Sequence, residues 1–203
     1  MASVEEYVHC DELDTIPSQC RDNYLREHEL LVNLLPQKAT VLQVGSMDGM
    51  RAVRLLTARP DLDFTGLDIE DELVEKARDN VAAAKLAAKF FVGDIVHPPS
   101  FKRFDYVLCL NNTLGYISNQ RQAIASMKDL GKKVVISVYG ERFTDILAQA
   151  YFSSIGSDID RIEGNTFMMK GDWLVRRFSH AEVVAWGGKV TETPIGYWCE
   201  LVG

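Results

Sequence analysis

Val41-Leu42-Gln43-Val44-Gly45-Ser46-Met47-Asp48-Gly49-Met50 is an apolar run that breaks into a glycine turn and then enters a helix-like stretch over 51–58. The pattern predicts a strand, a tight turn and a helix. Such a junction leaves backbone N–H groups unpaired where the helix starts, and glycine lets a ligand approach the backbone closely. Strand, Gly-x-x-x-Gly and helix also occur in plain α/β turns, so the turn alone leaves a ligand site and a structural role both open.

The next units narrow the choice. Residues 62–69 read as a second strand ending on Asp68, roughly 20 positions on, where doubly wound folds present a carboxylate to ribose hydroxyls. Residues 89–94 read as a third strand ending in Gly93-Asp94, and residues 104–112 as a fourth ending in Leu110-Asn111-Asn112. Four strands thus deliver polar groups at their carboxyl ends.

This ordered set resembles the class I S-adenosylmethionine-dependent methyltransferases, over about residues 38–203. The resemblance implies an α/β fold: a Rossmann-like, doubly wound, seven-stranded, mostly parallel sheet with an antiparallel last strand and helices on both faces. It implies S-adenosyl-L-methionine as cofactor and S-adenosyl-L-homocysteine as product. Residues carried over as cofactor-binding are Gly45, Ser46, Met47, Gly49, Asp68, Ile69, Gly93, Asp94, Ile95, Leu110 and Asn111, with Tyr24 from the preceding segment. Two positions depart from the family pattern. Gln43 stands where an acid is usual, and Met47 replaces the middle glycine, a replacement the turn accommodates if the Met47 φ is negative.

The chain has 203 residues, enough for one sizeable core and short for two. A formal net charge of −7 and the lack of any long Lys/Arg run disfavour a broad phosphate-binding face, so nucleic acid is not the expected partner. Cys10, Cys20, Cys109 and Cys199 show no Cys-x-x-Cys spacing, and His9, His28, His97 and His180 show no metal-like pairing. No metal is expected. No stretch reaches the roughly 18 apolar residues of a membrane span, and the acidic start is unlike a signal peptide, so a cytoplasmic protein is expected. The oligomeric state is not legible.

Residues 1–36 are charged and end in Pro36, with Tyr24, Leu25, Leu30, Leu31, Leu34 and Leu35 spaced for an amphipathic helix from about Asp22. They read as an N-terminal helical lid before a methyltransferase domain over 37–203. Tyr7 and Tyr24 either reach the cofactor or substrate, or lay their rings against a sheet edge. The helix expected over 71–86 packs through Leu73, Val74, Ala77, Val81 and Ala84. Pro98-Pro99 turns the link to the fourth strand into loop.

Residues 111–117, Asn-Asn-Thr-Leu-Gly-Tyr-Ile, lie where the family places its transferable methyl and acceptor. The likeness to Asn-containing loops of small-molecule N-methyltransferases makes Asn112 and Tyr116 the candidate catalytic residues and an amine nitrogen the expected acceptor. An Asn-rich turn capping a helix is the structural alternative. After a helix over 120–130 and a fifth strand over 132–139, Tyr139 stands on the ligand side. Residues 156–178 read as an inserted hairpin offering Phe167, Met169, Trp173, Arg176 and Arg177 as a substrate wall, with Tyr7, Tyr139 and Arg176 the candidate substrate contacts. Ser179 with Glu182 predicts a capping box, and the segments 189–195 and 197–202 predict a closing antiparallel pair. O-methylation, a non-catalytic cofactor-binding subunit and a dinucleotide oxidoreductase remain as alternatives, the last disfavoured by Gly93-Asp94 and the closing pair.

Overall fold

The computed structural model describes residues 14–203. Helix α1 (Ser18–Leu34) precedes β1 (Thr40–Val44), α2 (Met50–Ala58), β2 (Asp63–Asp68), α3 (Asp71–Ala83), β3 (Lys89–Val92) and β4 (Phe104–Cys109). The chain continues through α4 (Thr113–Tyr116), α5 (Gln120–Leu130), β5 (Gly131–Tyr139) and α6 (Asp145–Ser154). A meander of β6 (Ile159–Glu163), β7 (Thr166–Met169) and β8 (Trp173–Arg176) leads to α7 (His180–Val184), β9 (Lys189–Glu192) and β10 (Gly196–Val202).

The main sheet has seven strands in the order β3-β2-β1-β4-β5-β10-β9. Strands β3, β2, β1, β4 and β5 are mutually parallel, and β10 runs antiparallel to both β5 and β9. The expected fold class and closing pair are therefore present. Strand order reverses between β1 and β4, and in open α/β sheets ligands bind outside the carboxyl ends of the strands at such a point.

Both faces of the sheet are covered, which explains why its central strands read as continuous apolar runs rather than alternating ones. One core layer joins Val41, Phe64, Leu108 and Trp198 to Leu31, Leu55, Val74 and Ala77, residues of α1, α2 and α3. The opposite layer joins Leu42, Leu67, Val107 and Val134 to Ala123 and Met127 of α5 and Val183 of α7. A third cluster packs Phe143, Phe152 and Tyr151 against Phe167, Met169 and Val175 of the meander, and Ile16 and Cys20 of the N-terminal segment belong to it.

Helix α1 begins at Ser18, one turn earlier than the sequence suggests, because Pro17 serves as its N-cap and the O of Pro17 accepts from Cys20 and Arg21. Capping fixes the later helices. Asn119 accepts from Gln122 N at the start of α5, Thr144 from Leu147 N at the start of α6, and Ser179 and Glu182 form the expected capping box. The insert over 156–178 is a three-stranded antiparallel sheet rather than a hairpin, since Asp172 and Gly171 make a second turn with positive φ. Among the described residues no helix is long and apolar enough to cross a membrane, and no cluster of His, Cys, Asp and Glu could hold a metal ion.

Candidate active site

A cavity of about 450 Å³ opens at the carboxyl ends of β1, β2, β3 and β4. Gly45, Ser46 and Met47 line it from the first turn, Asp68, Ile69 and Glu70 from the second, Gly93, Asp94 and Ile95 from the third, and Leu110 and Asn111 from the fourth. Tyr116, Ile117 and Ser118 close one side, and Asp172, Trp173 and Leu174 reach over from the meander.

The first turn is wound through positive φ at every second residue: Gly45 at 67°, Met47 at 49° and Gly49 at 77°. Met47 thus does not take the negative φ that its side chain favours. A left-handed conformation costs a non-glycine residue about 1 to 2 kcal/mol, and here a hydrogen bond offsets it. The Met47 N–H donates to Asp68 Oδ2 at 2.8 Å, while Glu70 N–H donates to Asp68 Oδ1 at 3.2 Å. Burial pushes the Asp68 carboxyl above its usual range, and the backbone N–H groups of Met47, Glu70 and Ile69 oppose that shift without cancelling it. A methyl group on Gly45 would lie 2.4 Å from Thr113 Cγ2, so the turn and the strand-four loop approach each other closely only because Gly45 has no side chain. Ser46 Oγ is buried in the cavity wall without a hydrogen-bond partner.

Eleven residues were expected around a ligand on the first four strands, and ten of them line the cavity; Gly49 does not. Gly49 instead caps α2 at a point where a side chain would strike Ala77 of α3 at 2.9 Å. Of the two candidate catalytic residues, Tyr116 lines the cavity and Asn112 does not. Asn112 is fully buried, its Nδ2 donating to Arg176 O at 3.0 Å and its Oδ1 accepting from Tyr139 N at 3.0 Å. Both ends of that amide are committed to joining β5 to β8, a structural role other than the helix cap expected as the alternative, since the Asn112 side chain makes no capping hydrogen bond at the start of α4.

Six substrate or lid expectations also need correcting. Tyr139 is buried behind the cavity, with its hydroxyl 3.4 Å from Asn111 Oδ1. Arg176 turns away, donating to Gln120 Oε1 at 3.0 Å and pairing with Glu182. Arg177 likewise faces Phe143 O and Asp145, and Phe167 and Met169 belong to the core beneath, which leaves Trp173 as the part of the expected wall that faces the cavity. Tyr24 lies under Arg51, whose guanidinium carbon is 4.0 Å from the ring centroid, and it is not a lining residue. Tyr7 lies outside the described residues.

Sequence reasoning missed Arg51, Thr113, Tyr151 and Asp172 as lining residues. Arg51 carried a weak signal, since a charged residue in the first turn after a ligand-binding loop is worth a role. Asp172 was legible only as a turn residue. The rings of Tyr116 and Trp173 stack at 5.8 Å with 15° between their planes, joining the strand-four loop to the meander, and that pairing has no local sequence signature.

Residues 41–133 match the family described as a methyltransferase domain. Carboxy-S-adenosyl-L-methionine synthase of Campylobacter curvus is 32% identical over 95 residues, 47% of this chain and 40% of that protein. Malonyl-[acyl-carrier protein] O-methyltransferase of Anoxybacillus flavithermus is 23% identical over 154 residues, 72% of this chain and 58% of that protein. The chain therefore spans less than two thirds of either relative's length. Among solved structures, an S-adenosylmethionine-dependent methyltransferase from Clostridium acetobutylicum superposes with a TM-score of 0.65 at 13% identity, over 90% of this chain and 91% of that one, a likeness of fold.

Proposed function

We propose that this chain, whose residues 41–133 match a methyltransferase domain, is a class I methyltransferase that binds S-adenosylmethionine in the cavity and directs its methyl group to an amine nitrogen of a small molecule. The observation that carries the reading is the joint presence, on one cavity, of the wound turn at Gly45–Met47, the buried Asp68 and the strand-end Asp94. The donor set fits the group. Gly45, without a side chain, lets the turn pack directly on Thr113 at the cavity wall, Ser46 Oγ is a buried polar atom with no partner, and carboxylates stand at the ends of both β2 and β3.

When bound, S-adenosylmethionine supplies a methyl group already activated by its sulfonium. The chain's residues bind, orient and exclude water, which positioning alone makes worth several kcal/mol. Asp68 takes the ribose hydroxyls and Asp94, whose Oδ1 already accepts from Val96 N at 2.8 Å, takes the exocyclic amine of adenine. Asn111 holds its backbone in place by donating its N–H to Ser137 Oγ at 2.8 Å, and its side-chain oxygen is the acceptor that orients an incoming N–H.

The amine reading draws on the acceptor side. The stacked rings of Tyr116 and Trp173 form an aromatic wall with the carboxylate of Asp172 beside it in sequence and on the same cavity. An aromatic face with an acid suits a cationic or amine-bearing molecule better than a carboxylate. A methyl-transfer screen over small amines, amino acids, phenols and carboxylic acids tests this. Transfer confined to hydroxyl or carboxyl oxygens would refute the amine assignment, and binding of S-adenosylhomocysteine with no transfer to any acceptor would favour a non-catalytic cofactor-binding role.

A further inference from the structure

Beside the cavity lies a set of buried polar groups of which the reading above uses only Ser137. Glu27 of α1 is 1% exposed, and three elements converge on its carboxylate. Arg51 Nη1 of α2 donates to Oε2 at 2.8 Å, Ser137 Oγ of β5 donates to Oε1 at 2.6 Å, and Asn23 Nδ2, one turn back, donates to Oε1 at 3.0 Å. Ser137 Oγ in turn accepts the N–H of Asn111, which lines the cavity. Two of the groups tied to Glu27, one directly and one through Ser137, therefore face the ligand space.

Arg51 is the one cationic side chain among the described residues that line the cavity. The lining acids Asp68 and Asp94 follow β2 and β3, on one side of the central strand β1. Through Glu27, Arg51 is tied instead to β5 and to the end of β4, on the other side of β1. The acids that follow β2 and β3 thus meet a nucleoside and the guanidinium meets whatever extends past β1, while the meander brings one further acid, Asp172, to the cavity.

We infer that Glu27 is a positioning residue that holds the Arg51 guanidinium at the β4–β5 end of the cavity, where Arg51 takes the carboxylate of the cofactor's amino-acid part. A guanidinium offers five N–H donors in a planar fork, so a bond from Nη1 to Glu27 fixes its plane while other donors serve a ligand carboxylate. The Tyr24 ring, 4.0 Å beneath, keeps the plane from rotating. The inference rests on the cofactor assignment of the preceding section.

Two nucleosides separate the effects: S-adenosylhomocysteine, which carries the amino-acid part, and 5′-methylthioadenosine, which lacks it. By calorimetry, wild type should prefer S-adenosylhomocysteine. Arg51→Gln and Glu27→Gln should each weaken S-adenosylhomocysteine about tenfold or more, equivalent to about 1.4 kcal/mol, with 5′-methylthioadenosine held within about twofold. The double variant should lose little beyond either single one, because the two side chains act as a unit. Thermal unfolding of each variant establishes that it folds, and Arg51→Lys, which keeps the charge but loses the fork, should show the same sorting if a Gln variant does not fold. Equal losses for both ligands would mean that the network only supports the fold and would overturn the inference, as would unchanged affinity for both. Failure of wild type to bind either nucleoside would instead overturn the cofactor assignment itself.

Discussion

Asp68 accepts the N–H of Met47 at 2.8 Å, so the acid at the end of β2 is also the clamp of the turn that ends β1. One carboxylate holds the turn in a conformation costly for methionine and serves the cavity beside it. Asp68→Ala should therefore do more than remove one ribose contact. Calorimetry should show S-adenosylhomocysteine affinity falling by about 1.5 to 3 kcal/mol, the loss expected for a charge-assisted hydrogen bond, together with a lower unfolding midpoint. Unchanged affinity would remove Asp68 from the site.

The same carboxyl has two opposite pH dependences. Burial raises its pKa, so the native state holds that proton at a pH where the unfolded chain has released it. Asp68's contribution to the stability of the ligand-free protein is therefore complete below the unfolded value, about 3.9, and is lost as pH rises through the higher folded value. The proposed ribose contact needs the ionised form and runs the other way, weakening as pH falls through that value. Unfolding and binding measured across this window, for wild type and Asp68→Asn, should show stability and affinity moving in opposite directions in wild type, with both trends flattened in the variant.

Asn112→Ala should behave as a structural lesion. It leaves the Tyr139 N–H and the Arg176 carbonyl without their partner and places alanine at a φ of 63°. Each buried group left unsatisfied costs about 1 to 3 kcal/mol and the left-handed alanine about 1 to 2 more. Urea unfolding should register most of that sum, while the affinity of the folded fraction for S-adenosylhomocysteine stays near wild type. A stable Asn112→Ala protein with lowered turnover would return Asn112 to the catalytic role that the sequence suggests.

Gly45→Ala should destabilise the turn and abolish nucleoside binding, because the added methyl meets Thr113 Cγ2 at 2.4 Å and Oγ1 at 2.7 Å. Adding Thr113→Ala removes both atoms and should restore part of the binding. The strain of alanine at a φ of 67° remains, so recovery should be incomplete. Equal defects in the single and double variants would show that backbone strain alone sets the requirement for glycine.

Trp173→Ala should raise the Michaelis constant of the acceptor several-fold and leave cofactor affinity nearly unchanged, since the ring faces the cavity from the meander and stacks on Tyr116. Steady-state kinetics on the best acceptor separates the two. A loss confined to cofactor affinity would place the Tyr116–Trp173 wall on the nucleoside side.

The sheet and its cavity floor were legible because their signals are local. Apolar runs mark β1, β2, β4 and β5, glycine marks the turn, and the acids Asp68 and Asp94 fall where parallel strands end. What failed was side-chain direction beyond the strands. Asn111 and Asn112 both take positive φ, so alternation along an extended strand no longer decides which amide meets the ligand. Arg176 left the expected wall because Gln120 and Glu182, brought near by the fold, claim its guanidinium. Met47 kept a glycine-like φ because a residue 21 positions away holds its N–H. Each error traces to a partner distant in sequence.

The buried bonds of α1 bear on the order in which the molecule can assemble. Glu27 meets Ser137 across 110 positions, and Asn23 accepts from Ile195 N across 172. Chains dominated by such distant pairings fold slowly, because the entropy of closing long loops is spent before the contacts form. During synthesis, α1 emerges well before the strand and the turn that satisfy its buried carboxylate and amide. Its bonds to β5 and the last turn are thus late events, and a nascent chain that has already made β1 through β4 and the Glu27–Arg51 pair still lacks the anchored Asn111. Competence to bind should be acquired abruptly, near the end of folding, rather than growing with the sheet.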